Sequence, residues 1–81
     1  MISKDYLSIS NQVPVTPSDT TDLGQITDGI SLNESGAVTF VCASGQTVTR
    51  SLLSGIDYPY KVKRVNATGT DEGLGIHALY F

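Results

Sequence analysis

An all-β domain is what this 81-residue sequence predicts: a small antiparallel β-sandwich or barrel, entered through an extended N-terminal arm that holds at most a short helical turn. Three observations carry that expectation. The run Ala37-Val-Thr-Phe-Val-Cys-Ala43 is rich in β-branched and aromatic residues that suit a pleated, half-buried surface. The segment from Leu74 to Phe81 is short and apolar on both faces, as a central or sandwiched strand should be. No helical apolar period is sustained, and five or so short runs separated by tight turns are what is left.

Residues 1–27 read as the arm and residues 28–81 as the β domain. Within the arm Leu7 and Ile9 have the spacing of a short strand, and Val13-Pro-Val15 is extended because a residue preceding proline is pushed out of the helical region. Thr16-Pro-Ser-Asp19 carries a helix-start signature, with Thr16 as N-cap, Pro17 at the first helical position and Asp19 reaching back. Gly24 follows too soon for more than a turn or two. The arm has two places to lie, on its own domain or on a neighbouring copy.

Strand character begins at Gly29. Ile30-Ser-Leu32 alternates, Asn33-Glu-Ser-Gly36 turns, and the Ala37–Ala43 strand leads through a loop into Gln46-Thr-Val-Thr-Arg-Ser-Leu52. A three-residue Ala43-Ser44-Gly45 loop with Gly45 left-handed sets Phe40 opposite Val48, Val38 opposite Arg50 and Thr39 opposite Thr49. A two-residue Ser44-Gly45 loop would pair Val41 with Val48 instead. The first register is preferred because it gathers Val38, Phe40, Cys42 and Val48 on one face.

Ser54-Gly-Ile-Asp57 is a turn, and Pro59 marks the start of the next strand. In Tyr60-Lys-Val-Lys-Arg-Val65 the alternation is poor: Tyr60 and Val62 share a face with Arg64, Val65 with Lys61 and Lys63. Such a strand suits a sheet edge, where lysines blunt unwanted pairing. Asn66 to Thr70 reads as a tight turn, with Gly69 at positive φ and the Thr68 and Thr70 hydroxyls bonding the local backbone. The final strand places Leu74, Ile76, Ala78 and Tyr80 on one side and His77, Leu79 and Phe81 on the other, and holds the terminus in a sheet or an interface.

Size and charge narrow the function. A chain this short buries roughly 60–65% of the surface its unfolded form exposes, so disulfides, a metal or partner subunits are the usual staples. Cys42 is the single cysteine and His77 the single histidine, which excludes an internal disulfide and a Cys/His zinc cluster. Oligomerisation is the staple left. A net charge of −3 argues against nucleic acid as partner. No apolar run approaches the about 18 residues of a membrane span, and Met1-Ile-Ser-Lys-Asp5 lacks the apolar core of a signal peptide. The chain reads as made in a cytoplasm, unprocessed, with no membrane partner and no cofactor. Acidic residues dominate the first half, and four of the five basic residues lie at Arg50, Lys61, Lys63 and Arg64. That asymmetry suits head-to-tail contacts between copies.

Candidate chemistry is sparse. Asp19, Asp22 and Asp28 lack the ligand spacing of a calcium loop and read as solvated loop aspartates. Cys42 reads as a packed thiol and His77 as a hydrogen-bonded core or interface histidine, with no nucleophile motif beside either. Lys61, Lys63 and Arg64, with Tyr58 and Tyr60, are too few charges for a nucleic-acid face; they read as contacts to an acidic neighbour or as solvent-facing. Two glycosylation sequons, at Asn33 and Asn66, fall in turns. No catalytic set is present.

Three segments resemble a known family. They are Val15-Thr-Pro-Ser-Asp-Thr-Thr-Asp-Leu23, Gly36-Ala-Val-Thr-Phe40 with its Ser44-Gly-Gln-Thr-Val48 turn, and Tyr60-Lys-Val-Lys-Arg-Val-Asn-Ala-Thr-Gly-Thr70 with Ala78-Leu-Tyr80. Together they are similar to the small spike-base proteins of tailed phages and phage-derived gene transfer agents, over residues 13 to 81. Residues 1–12 have no counterpart in that pattern, and Asp71-Glu-Gly73 is more acidic than the small-residue turn expected there. The resemblance implies a virion protein on the capsid exterior: an oligomeric ring or cluster at a vertex, bound to itself, to the major capsid protein and to a spike or fibre protein, without catalysis. The alternatives are a capsid decoration or cement protein and a host-surface carbohydrate-binding module. The positions of interest are accordingly interface ones: Val13, Val15 and Leu23 in the arm, Tyr58, Tyr60, Lys61, Lys63 and Arg64 before the last turn, and Leu79, Tyr80 and Phe81 at the end.

Overall fold

The computed structural model describes residues 11–80; the proposed Leu7/Ile9 strand and Phe81 lie outside them. Among the described residues six strands form: β1 (Asn11–Pro14), β2 (Gly29–Leu32), β3 (Gly36–Cys42), β4 (Thr47–Leu52), β5 (Val62–Val65) and β6 (Ile76–Tyr80). They make two three-stranded antiparallel sheets, ordered β1-β6-β2 and β4-β3-β5. The apolar face of each sheet has to be covered by the other, and the result is a sandwich. Its interior is Ile30, Leu32, Val38, Phe40, Leu52, Val62, Val65, Leu74 and Ile76, all buried.

The β3–β4 hairpin takes the three-residue loop. Phe40 faces Val48, Val38 faces Arg50, Thr39 faces Thr49, and Gly45 sits at φ 97°. As expected from its two apolar faces, β6 is the central strand of its sheet. β5 is the edge strand that its lysines suggest, although it starts at Val62, three residues after Pro59. Between β3 and β5 the register runs Phe40–Val65, Val41–Arg64, Cys42–Val62, which leaves Lys63 as the extra residue of a β-bulge. The bulge corrects the face assignment made by strict alternation. Val62 and Val65, three apart, both point into the core at 0% and 1% exposure.

No helical turn forms at Thr16–Asp19. The N–H groups that a helix would turn inward are spent on β5: Ser18 N–H donates to the Val65 carbonyl at 2.8 Å and Leu23 N–H to the Lys63 carbonyl at 2.8 Å. Ser18 Oγ accepts from the N–H groups of Thr20 and Thr21, so the serine, not Thr16, organises the turn. Further on, Thr27 N–H donates to the Val62 carbonyl, and the buried Thr27 hydroxyl links Tyr60 O to Val62 N–H. The described part of the N-terminal segment therefore lies on its own domain, β1 within one sheet and residues 18–27 along the free edge of the other.

The Asn66–Thr70 turn has Gly69 at φ 87°, where an added Cβ would strike the Thr39 hydroxyl. Its threonine hydroxyls do not bond locally. Thr70 Oγ1 accepts from Thr39 N–H at 2.9 Å, and Thr68 Oγ1 donates to Asp19 Oδ2 at 2.7 Å. The turn is tied to β3 and to the N-terminal segment at once.

Candidate functional site

Three surfaces hold the residues singled out by sequence. The first is the seam between residues 15–28 and β5. Arg64 Nη1 lies 3.1 Å from Asp22 Oδ1 while its Nε donates to Asn66 Oδ1, and Lys61 Nζ lies 3.2 Å from Asp28 Oδ1. Asp19 accepts from both the N–H and the hydroxyl of Thr68. The hydrogen bonds from Thr68, with a smaller contribution from the Arg64 charge, hold the Asp19 carboxyl below its ordinary value. The three aspartates are thus not simply solvated, and Lys61 and Arg64 meet carboxylates of their own chain. The acidic first half and basic second half find each other within one protomer. Val15 and Leu23 close this seam, half-buried against the core.

The second surface is aromatic. Tyr60 stacks on Phe40 with ring centroids 5.4 Å apart and on Tyr58 at 5.5 Å. The Tyr58 hydroxyl accepts from Leu53 N–H at 2.9 Å. Phe40 is buried and the tyrosines half-buried, so the ladder runs from the core to the rim. It borders a groove of about 420 Å³ whose walls include Cys42, Val48, Arg50, Tyr60 and Lys61. The lone thiol lines this groove, half-buried.

The third surface surrounds β1 and β6. Leu79 is buried at 1%, Tyr80 is half-buried with its hydroxyl donating to the Gln25 carbonyl, and Val13 is 40% exposed. His77, half-buried, has Nδ1 3.1 Å from the Gly75 carbonyl. It borders a second groove of about 480 Å³, walled by Val15, Pro17, Leu74 and Ile76 among others. Leu53 and Ile56, 59% and 42% exposed in the loop after β4, are apolar surface positions that sequence reasoning passed over. An isolated loop leucine carries no periodicity to reveal it.

Among the described residues no group of three or more His, Cys, Asp or Glu side chains is placed to hold a metal, and no helix is long and apolar enough to cross a membrane.

No protein-family model matches the sequence, and no curated protein does. Among solved structures, a chain from the "Capsid of native GTA particle computed with C5 symmetry" is similar. It is 28% identical, with a TM-score of 0.79, over 89% of this chain and 83% of that one.

Proposed function

We propose that this chain is a structural, non-enzymatic component of a phage-like or gene-transfer-agent virion, and that within it the chain forms the oligomeric base of a head spike or fibre. The single observation that carries the coarser part is the likeness, in fold and sequence, to a chain of a GTA capsid over most of both lengths. A small sandwich whose single cysteine is free, and in which no three metal-ligating side chains gather among the described residues, is consistent with a part that works by being placed.

The finer part rests on the segment resemblance. The base would sit on the capsid exterior, contact the major capsid protein and further copies of itself, and present the aromatic rim or the β1–β6 side outward. Counting copies per purified particle by quantitative mass spectrometry tests it. A number matching the vertices supports a spike base; one matching the shell subunits replaces it with a decoration protein; absence from particles ends the virion reading. Removing residues 1–10 is expected to lower occupancy while the isolated domain stays folded.

A further inference from the structure

A sandwich of two open sheets has four edges; among the described residues the chain covers two of them itself, and a third, β1, is short and ends in proline. The edge of β2 is taken by Tyr58, which exchanges N–H···O bonds of 2.8 Å with Ile30 in both directions, and by Gly55 N–H on the Leu32 carbonyl. The edge of β5 is covered by Ser18, Leu23 and Thr27. β1 is four residues long and ends in Pro14. Val15 N–H bonds the Ile76 carbonyl, so by alternation Gln12 and Pro14 face outward, and Pro14 has no N–H to offer.

β4 is different. Cys42 N–H bonds the Gln46 carbonyl, and Thr39 spends its backbone groups away from β4: its N–H on Thr70 Oγ1 and its carbonyl on Asn66 N–H. Thr39 and Thr49 are therefore a non-hydrogen-bonded pair. It follows that Thr47, Thr49 and Ser51 all turn their N–H and C=O groups to the open side. All three are exposed, and against β3 the strand holds no proline, no lysine and no bulge, so that the charge of Arg50 is its one guard.

We infer that β4 is a strand-addition edge and that its occupant is β4 of a second copy, antiparallel, with the two-fold axis at Thr49. The strand is its own complement in that register. Thr49 faces its counterpart and Thr47 faces Ser51, so every outward donor and acceptor of the three residues is matched by one from the other copy. Arg50, the only charge on β4, falls opposite Val48 rather than opposite itself. Its side chain then crosses Val48 toward the groove beside Phe40 and Tyr60, a setting suited to a guanidinium. The two copies share one six-stranded sheet, β5-β3-β4-β4-β3-β5. The contact is isologous. It stands on backbone geometry alone and does not depend on the virion reading.

Cross-linking tests it. In a Cys42→Ser background, Thr49→Cys sets two thiols on Cα atoms about 5.5 Å apart in a hydrogen-bonded pair, within disulfide reach. Mild oxidation is expected to give a covalent dimer, whereas Val48→Cys, facing Arg50, stays uncrosslinked. Sedimentation of the unaltered chain is expected to show its mass doubling with concentration. Thr49→Asp, which opposes two carboxylates at the axis, should return it to a single subunit with an unchanged circular dichroism spectrum. Equal cross-linking at both positions, none at either, a mass that never rises, or a dimer that survives Thr49→Asp would each overturn the inference. A failure to find the chain in particles would leave these results untouched.

Discussion

Asp19 and Thr68, 49 positions apart, are joined by two hydrogen bonds. Thr68 N–H donates to one carboxylate oxygen at 2.9 Å, and its hydroxyl donates to the other at 2.7 Å. Both donors favour the ionised carboxyl, which is why Asp19 titrates below its ordinary value of 3.8. Its folded pKa is depressed, so the stability it contributes is present above the unfolded value and lost as pH falls through the folded one. Asp19→Asn should lower the thermal midpoint by a few degrees at pH 7. At a pH low enough to neutralise the folded carboxyl the two proteins should converge, since it is then neutral in both states. Melting curves at the two pH values check this, and a gap that persists in acid would show that charge is not the cause.

Gly69 and Gly45 separate backbone strain from steric contact. Both have positive φ, 87° and 97°. At Gly45 an added Cβ meets open space, whereas at Gly69 it runs into the Thr39 hydroxyl. Gly45→Ala should cost about 1 kcal/mol, the left-handed penalty alone. Gly69→Ala should cost about 2–4 kcal/mol, because the clash also disturbs the Thr39–Thr49 hydroxyl bond of 2.7 Å. Urea midpoints for the two variants decide it, and equal costs would mean that the turn yields freely.

Ile30 and Val62 are fully buried from opposite sheets, so shortening either leaves a cavity that neither layer can fill alone. Ile30→Ala should cost about 2–5 kcal/mol, a large share of the stability of so small a domain. Val13→Ser, 40% exposed on β1, should change stability by no more than about 0.5 kcal/mol. Equilibrium unfolding of both variants checks the contrast.

What was legible in the sequence follows from the range of the interactions. The hairpin register was readable because Gly45 and the alternation of Val38, Phe40 and Cys42 are local signals. The central position of β6 was readable from its two apolar faces. The bulge at Lys63 was not, since one extra residue shifts the period without altering composition. Nor was the fate of Ser18–Thr27, whose N–H groups had two acceptors to choose from: their own helix, or β5 some 40 positions away. The ion pairs within the chain were not legible for the same reason. Opposite charges in the two halves are equally consistent with contacts within a copy and between copies.

Arg64 and Lys61 make comparable ion pairs by distance, 3.1 and 3.2 Å, yet their surroundings differ. The Arg64 side chain is 27% exposed and holds Asn66 as well as Asp22, so it bridges the N-terminal segment to the turn after β5. Lys61 is 67% exposed and reaches Asp28 with a single flexible amine. Screening and side-chain entropy should leave Lys61→Ala within about 0.5 kcal/mol of the parent. Arg64→Ala should cost about 1 kcal/mol, because it strips a partner from two groups at once. Raising the salt concentration should shrink the Arg64→Ala effect only in part, since the Asn66 bond is to a neutral amide and the guanidinium is mostly covered. Unfolding measurements at low and high salt read both. A full loss of the difference at high salt would reduce Arg64 to an ordinary surface charge and remove the bridge from the account of how residues 15–28 are held.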